Sequence, residues 1–302
     1  MSDSGIEAES SSAPVAKKAK ITKPPQQPPA RKPVIQMHFG QGVFLKRLCK
    51  VLATVLTEIN VYFTSNGLLM RSMDSSRVAL VYLNISAACD PDYICTRSLT
   101  LGLVLGSLSK VMDSVGAKDS VVLEFYDEQP DELQIIVTSD GGATVMHFGL
   151  KLLDLETEAL GDIDLGSLAT VKMVSTKLDR ILGTVQKMGD NVNIKAAKDG
   201  LVFCSQGDNI LGTVKIQCDA RGPDAGEDYL NMELIQNTQG QFSLRYLLLF
   251  SKAHILADKV TLILRGVDVP LCLQYEIDET IQLEFHLAPK LSDADFENSS
   301  GQ

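Results

Sequence analysis

The chain repeats one plan four times, and this constrains its fold more than any other feature. Each copy is an amphipathic helix, a short polar turn, and an alternating strand that opens with valine. The first runs from Leu45 to Ile59 and then Val61-Tyr62-Phe63. The second runs from Leu105 to Val115, followed by a strand at 121–125; the third from Leu178 to Met188, then Val192-Asn193-Ile194; the fourth from Leu244 to about Ala253, then 260–264. From leading leucine to valine the step is 16, 16, 14 and 16 residues, and the leucines lie 60, 73 and 66 apart. Turn signals at Asn66-Gly67, Gly141-Gly142, Asp199-Gly200 and Gly207-Asp208 divide the intervening sequence into short strands. Few helices among many strands predict an α+β fold, built by duplicating a unit of helices on antiparallel sheets.

The helix faces carry a second pattern. Leu45, Leu48, Leu52, Leu56 and Ile59 recur at three- and four-residue steps, as do Leu178, Ile181, Leu182, Val185 and Met188. Those stripes should be buried. Off them lie Lys46, Arg47, Lys50, Lys110, Lys177, Arg180, Lys187, Arg245 and Lys252, opposed by Asp113, Asp179 and the terminal Glu58. The whole chain carries a net charge of −10. Residues 1–33 hold six basic and three acidic residues, so the remainder stands at −13. Basic residues gathered on helices of an acidic body point to one shared surface for phosphates, where ordinary exposed helix faces would show no such segregation. No zinc finger, helix-turn-helix pattern or aromatic RNA-binding strand is present, so backbone contact without base reading is expected.

Residues 1–33 contain six of the eleven prolines, five serines and almost no large apolar side chains. That composition predicts a disordered tail, and Lys17-Lys18-Ala19-Lys20 within it fits a short nuclear-import signal. Six cysteines without a C-x-x-C pair read as reduced thiols of an intracellular protein, with no metal site at sequence spacing. No apolar run reaches 18 residues, which speaks against a membrane span. Asp90-x-Asp92 and Asp162-x-Asp164 are tight acidic pairs in polar loops, and with no nucleophile elbow or phosphate loop they give no case for an enzyme.

Several blocks, in order, resemble the sliding-clamp family of proliferating cell nuclear antigen. They are Ser72-Met73-Asp74-Ser75-Ser76-Arg77-Val78, Leu152-Leu153-Asp154-Leu155 with Leu160-Gly161, Ala197-Lys198-Asp199-Gly200, Leu244-Arg245-Tyr246-Leu247, Asp268-Val269-Pro270-Leu271 and Leu287-Ala288-Pro289-Lys290. The resemblance implies the DNA clamp fold: two topologically similar domains at 34–151 and 169–291, a connector at 152–168 and an acidic tail at 292–302. Three such chains would close into a pseudo-sixfold ring around duplex DNA, with twelve helices lining the hole. The implied role is a nuclear, non-enzymatic processivity factor without cofactors. Its partners would be double-stranded DNA, a clamp loader, and DNA polymerase and other replication and repair proteins that dock through short peptides. A subunit of a heterotrimeric checkpoint-type clamp is the alternative.

Carried over by position, the resemblance puts DNA contact on Lys46, Arg47, Lys110, Arg180, Lys187, Arg245 and Lys252, and the helix reading adds Lys50. The peptide groove falls on Met73, Arg77, Val78, Leu160, Ile163, Pro270, His286, Ala288, Pro289 and Lys290. Lys198 matches a ubiquitin-acceptor lysine. Ring closure would use strands Thr144–Leu150 and Leu211–Gln217, with Val145, His147, Phe148, Gly212, Val214 and Ile216. The chain departs from the family at Arg77 and His286, where histidine and tyrosine are usual at the groove rim. It also departs at Asp113 and Gly183, where basic residues are usual, and in a connector without the proline after Leu-Gly-Ile.

Overall fold

The computed structural model describes residues 32–156, 166–217 and 230–290. Most of the expected N-terminal tail, the connector segment with Leu160 and Ile163, Cys218, and the acidic C-terminal tail lie outside the described residues.

Valine- and isoleucine-rich alternation produces a first run of strands and helices: β1 (Ile35–Phe39), α1 (Gly42–Leu52), β2 (Glu58–Thr64), β3 (Gly67–Met73), β4 (Ala79–Ser86), β5 (Ile94–Cys95), β6 (Leu99–Val104), α2 (Leu105–Asp113), β7 (Ser120–Phe125), β8 (Glu132–Ser139) and β9 (Thr144–Lys151). The second run repeats it: β10 (Ala169–Val174), α3 (Ser175–Val185), β11 (Asn191–Ala197), β12 (Gly200–Gln206), β13 (Leu211–Ile216), β14 (Leu230–Leu234), β15 (Thr238–Ser243), α4 (Leu244–Ser251), β16 (Lys259–Leu264), β17 (Leu271–Asp278) and β18 (Ile281–Leu287). Among the described residues every ladder is antiparallel, both in hairpins such as β3–β4 and between distant strands such as β1–β7.

The duplication reaches the level of single residues. Gly67 and Gly200 open the equivalent strands β3 and β12 with φ of 125° and 132°. A Cβ there would stand 2.1 Å from the carbonyl oxygen of Ile85 in one half and of Ile216 in the other. Both turns therefore require glycine for the same two reasons.

Each half contributes a five-stranded and a four-stranded arrangement. In the N-terminal half these are β5-β1-β7-β8-β9 and β4-β3-β2-β6; in the C-terminal half, β14-β10-β16-β17-β18 and β13-β12-β11-β15. β18 pairs with β4 along its whole length, Ile281 against Ile85 through Leu287 against Ala79. That seam fuses one arrangement from each half into a nine-stranded sheet. From Pro33 onward the chain is therefore one compact unit.

The four helices pack in pairs, α1 on α2 and α3 on α4, and α1 also touches the 3-10 turn at 252–255. Their apolar stripes enter the same core as the inner strand faces: Leu48, Leu105, Leu182 and Leu244 are all essentially inaccessible. Truncating one such leucine to alanine costs about 2–5 kcal/mol, so the stripe and not helix propensity holds these short helices in place.

The helices are shorter than their periodicity predicts. Ile59 is buried but lies on β2, as does Glu58. Leu56 precedes that strand, and α1 ends at Leu52. Lys187 sits in the turn after α3, and Lys252 opens the 3-10 turn after α4. Apolar spacing continued through turns that also had to bury side chains, and no breaker residue marked the change.

Candidate nucleic-acid and partner surfaces

The basic residues singled out by the helix faces stand on the helical tier or the turns that end its helices. Arg47 and Lys50 on α1, Lys110 on α2, Arg180 on α3 and Arg245 on α4 are exposed, with Lys187 and Lys252 in the following turns. Lys46 differs. Its ammonium donates to the carbonyls of Asp113 at 3.0 Å and Val115 at 2.8 Å, capping the C-terminal end of α2. Unpaired carbonyls and the helix dipole both favour a cation there. Lys252 stands 3.4 Å from Asp179, which also accepts from the buried Ser251 hydroxyl at 2.7 Å. The other exposed cations of this tier are Arg47, Lys50, Lys110, Arg180, Lys187 and Arg245.

Cross-strand register brings together most of the residues expected at the groove. Ala288 donates its N–H to the Val78 carbonyl at 3.0 Å, one step beyond the Leu287–Ala79 pair. Pro270 stands one step beyond Leu271, which pairs with Leu287. Pro270, Ala288 and Val78 are thus neighbours at the ends of β17, β18 and β4, all half-buried. Met73 joins from β3 opposite Leu80, and Lys290 is held by its N–H donating to Gln241. Arg77 is exposed at the loop tip with φ of 55°, in the left-handed region.

Asp74 shapes that loop. Its buried carboxylate accepts from the N–H groups of Val78 and Ala79 at 2.8 Å, from Ser76 N–H, and from the Tyr246 hydroxyl at 2.6 Å. Burial alone would raise its pKa, but these four donors, Tyr246 foremost, outweigh burial and hold it below the ordinary aspartate value. The same bond raises the Tyr246 pKa and ties the loop to α4.

His286, expected at the groove rim, is only 5% exposed and lies on β18 within the sheet. It pairs across the sheet with Cys272 on one side and Leu80 on the other. Its Nε2 lies 3.0 Å from Glu284 and 4.0 Å from the Cys272 sulfur. Burial pushes the Cys272 thiol up to about 12. No sequence spacing announces this cluster, because the cysteine arrives from the neighbouring strand.

The expected closure strands are both sheet edges. β9 pairs only with β8, and β13 only with β12. Val145 and His147 point outward, and Val145, Ile210 and Leu211 are large apolar side chains left 49%, 53% and 65% exposed. Phe148 and Val214 are half-buried. Gly212 and Ile216 are buried within the chain, so they can meet another subunit only through backbone. Lys198 is exposed at the β11–β12 turn, beside Asp199, whose carboxylate pairs with Lys215.

Two family models match the chain in succession. The proliferating cell nuclear antigen N-terminal domain matches residues 34–160, and the C-terminal domain matches residues 162–290. Together with a fold of paired helices on duplicated antiparallel sheets, this makes the chain a member of the proliferating cell nuclear antigen family of DNA sliding clamps.

Proposed function

We propose that three copies of this chain close into a ring that encircles duplex DNA, with helices inward, and that the ring tethers replication and repair proteins in the nucleus. In this reading the repeated units are 34–151 and 169–291, joined by 152–168. The observation that carries the proposal is the β4–β18 seam. By strand order and inward-facing pattern, β9 is the counterpart of β18, and β13 is the counterpart of β4. The pair joined within the chain thus has an unjoined twin at its two ends. Repeating the seam between chains would place Met146 against Val214 and Phe148 against Gly212, as Leu283 meets Leu83 and Phe285 meets Val81. A head-to-tail contact of this kind closes into a ring or runs on as a filament. Closure also removes both exposed edges.

With every seam alike, each half presents its helix pair to the same side. Arg47, Lys50, Lys110, Arg180, Lys187, Arg245 and Lys252 would then line the hole. Phosphate contacts from a closed ring need no sequence preference and permit sliding. The groove at Met73, Val78, Pro270, Ala288 and Pro289 suits an aromatic anchor of a short partner peptide. Lys198, at an exposed turn, is open to modification.

Two cysteines test the seam. His147→Cys with Thr213→Cys faces outward across the proposed junction, equivalent to Glu284 opposite Tyr82. Oxidation should yield a covalent species of three chains and nothing larger, with light scattering giving about three times 32.8 kDa before oxidation. A monomer, an open ladder of longer species, or cross-linking by either single variant would overturn the ring.

A further inference from the structure

We propose that Cys272, Glu284 and His286 form a binding site for a thiophilic divalent transition metal of the zinc class. Their ligating atoms all lie within 4.8 Å of one another, with 3.0 Å between His286 Nε2 and Glu284 Oε2 and 4.0 Å between Nε2 and the Cys272 sulfur. Ligands sharing one tetrahedral zinc, at ~2.3 Å for sulfur and ~2.0–2.2 Å for nitrogen or oxygen, stand about 3.3–3.6 Å apart. The two separations at His286 need changes of about half an ångström, and the Cys272 sulfur and Glu284 oxygen, within 4.8 Å, must close by up to about 1.3 Å. Among the described residues this is the group of three potential ligands that converges so closely.

The rest of the local structure points the same way. Cys272 is fully buried yet stands apart from the hydrophobic core that takes Leu271, Leu273 and Tyr275, because it faces the other side of the sheet. His286 is buried on that same face, with its Nε2 turned toward Glu284 and the Cys272 sulfur. Glu284 keeps the cluster reachable, its side chain being 19% exposed. The Arg265 guanidinium hydrogen-bonds the Cys272 sulfur and also reaches the Pro270 carbonyl at 3.5 Å, so a bound metal would take its place at the sulfur. Its single charge does not exclude a dication once the thiolate and carboxylate supply two negative charges.

The donor set selects the metal. Sulfur and imidazole together favour zinc or cobalt and disfavour magnesium and calcium, which require oxygen. Binding releases the thiol proton to solvent, and no oxidation is involved. Three protein ligands leave a fourth position for water. Because these residues occupy adjacent strands, the ion would clamp β17 to β18 two residues from Pro270 and Ala288.

The test uses the full chain stripped with chelator and dialysed against cobalt(II). One cobalt per chain is expected, with a sulfur-to-cobalt charge-transfer band and an affinity reduced at least ~10-fold by His286→Gln or Glu284→Gln. Cys272→Ser should abolish the band, and Cys204→Ser, a cysteine on another sheet, should keep it. Anomalous scattering from crystals of the cobalt-loaded protein should place the ion between the three side chains. Absence of stoichiometric uptake, a band that survives in Cys272→Ser, or an ion located elsewhere would overturn the site. If Cys272→Ser fails to fold, the two glutamine variants and the anomalous signal decide.

Discussion

Lys46 and Asp179 occupy the same place in the two halves, each one residue after the leading leucine of its helix, and they carry opposite charges. Both reach the far end of the partner helix. Lys46 donates to the Asp113 and Val115 carbonyls at the end of α2. Asp179 accepts from Ser251 at the end of α4 and attracts Lys252 and His254, at 3.4 and 3.9 Å. Duplication kept the docking geometry of the helix pair while reversing its polarity. In one half the cation belongs to the first helix; in the other it belongs to the turn after the second. Position in the tier is therefore preserved more strictly than the residue that supplies the charge.

The halves differ most where α4 meets the loop after β3. In the N-terminal half Asp74 organises that loop with four hydrogen bonds. The equivalent loop after β12 closes instead by Gly207 N–H donating to Ile210 at 2.9 Å. Asp74→Ala leaves three N–H groups and one hydroxyl without their acceptor, and should destabilise the chain by about 3 kcal/mol in denaturant unfolding. The sign of the pH dependence follows from the depressed pKa of the folded state. Stabilisation by Asp74 is fully present above the unfolded aspartate pKa and is lost as pH falls through the lower folded one. The Asp74→Ala variant should therefore show a weaker loss of stability below about pH 4 than the parent. An unchanged acid transition would break the assignment.

The helix struts give a smaller difference. Asp179→Ala leaves the buried Ser251 hydroxyl only the Leu248 carbonyl at 3.1 Å and removes the partner of Lys252, and should cost about 1–2 kcal/mol. Lys46→Ala should cost less, about 0.5–1 kcal/mol, because the freed carbonyls at the end of α2 can take water. Equal losses by calorimetric melting would mean that the two struts are not tuned differently.

Much of this was legible in the sequence, for identifiable reasons. The leucine periodicity gave four helices and their buried faces because a 3.6-residue period has no other explanation in an acidic, strand-rich chain. Helix ends were not legible: Ile59 satisfies the helical spacing and the strand alternation equally, and only β2 pairing decides between them. Lys290, Pro270 and Pro289 were assigned to the proposed groove through the family blocks alone. The pairing of β18 with β4 joins residues about 200 positions apart and leaves no local signature. The cluster at Cys272 was invisible for the same cause, since Glu284 and His286 alternate on one strand while the sulfur comes from the next.

The smallest expected effect is the most discriminating. If the tier carries duplex DNA, the Arg180→Ala and Lys187→Ala pair should lower the slope of log affinity against log salt by about 2, roughly 0.9 per phosphate contact. Folding should be unaffected, because both residues are exposed and neither enters the core. Lys46 should behave otherwise although it stands among the same cations. Its ammonium already holds two carbonyls, so it reaches a phosphate only by giving up the cap on α2. Lys46→Ala should then change the slope by well under one unit while lowering stability, whereas Lys50→Ala on the same helix should change the slope by about one and stability hardly at all. The comparison separates a lysine that supports the surface from lysines that are the surface. If Lys46 and Lys50 lose the same slope, the capping bond yields to DNA and the charge reversal between the halves has no consequence for binding. Salt titrations of a fluorescent duplex with the two single variants, at matched fractions folded, decide between them.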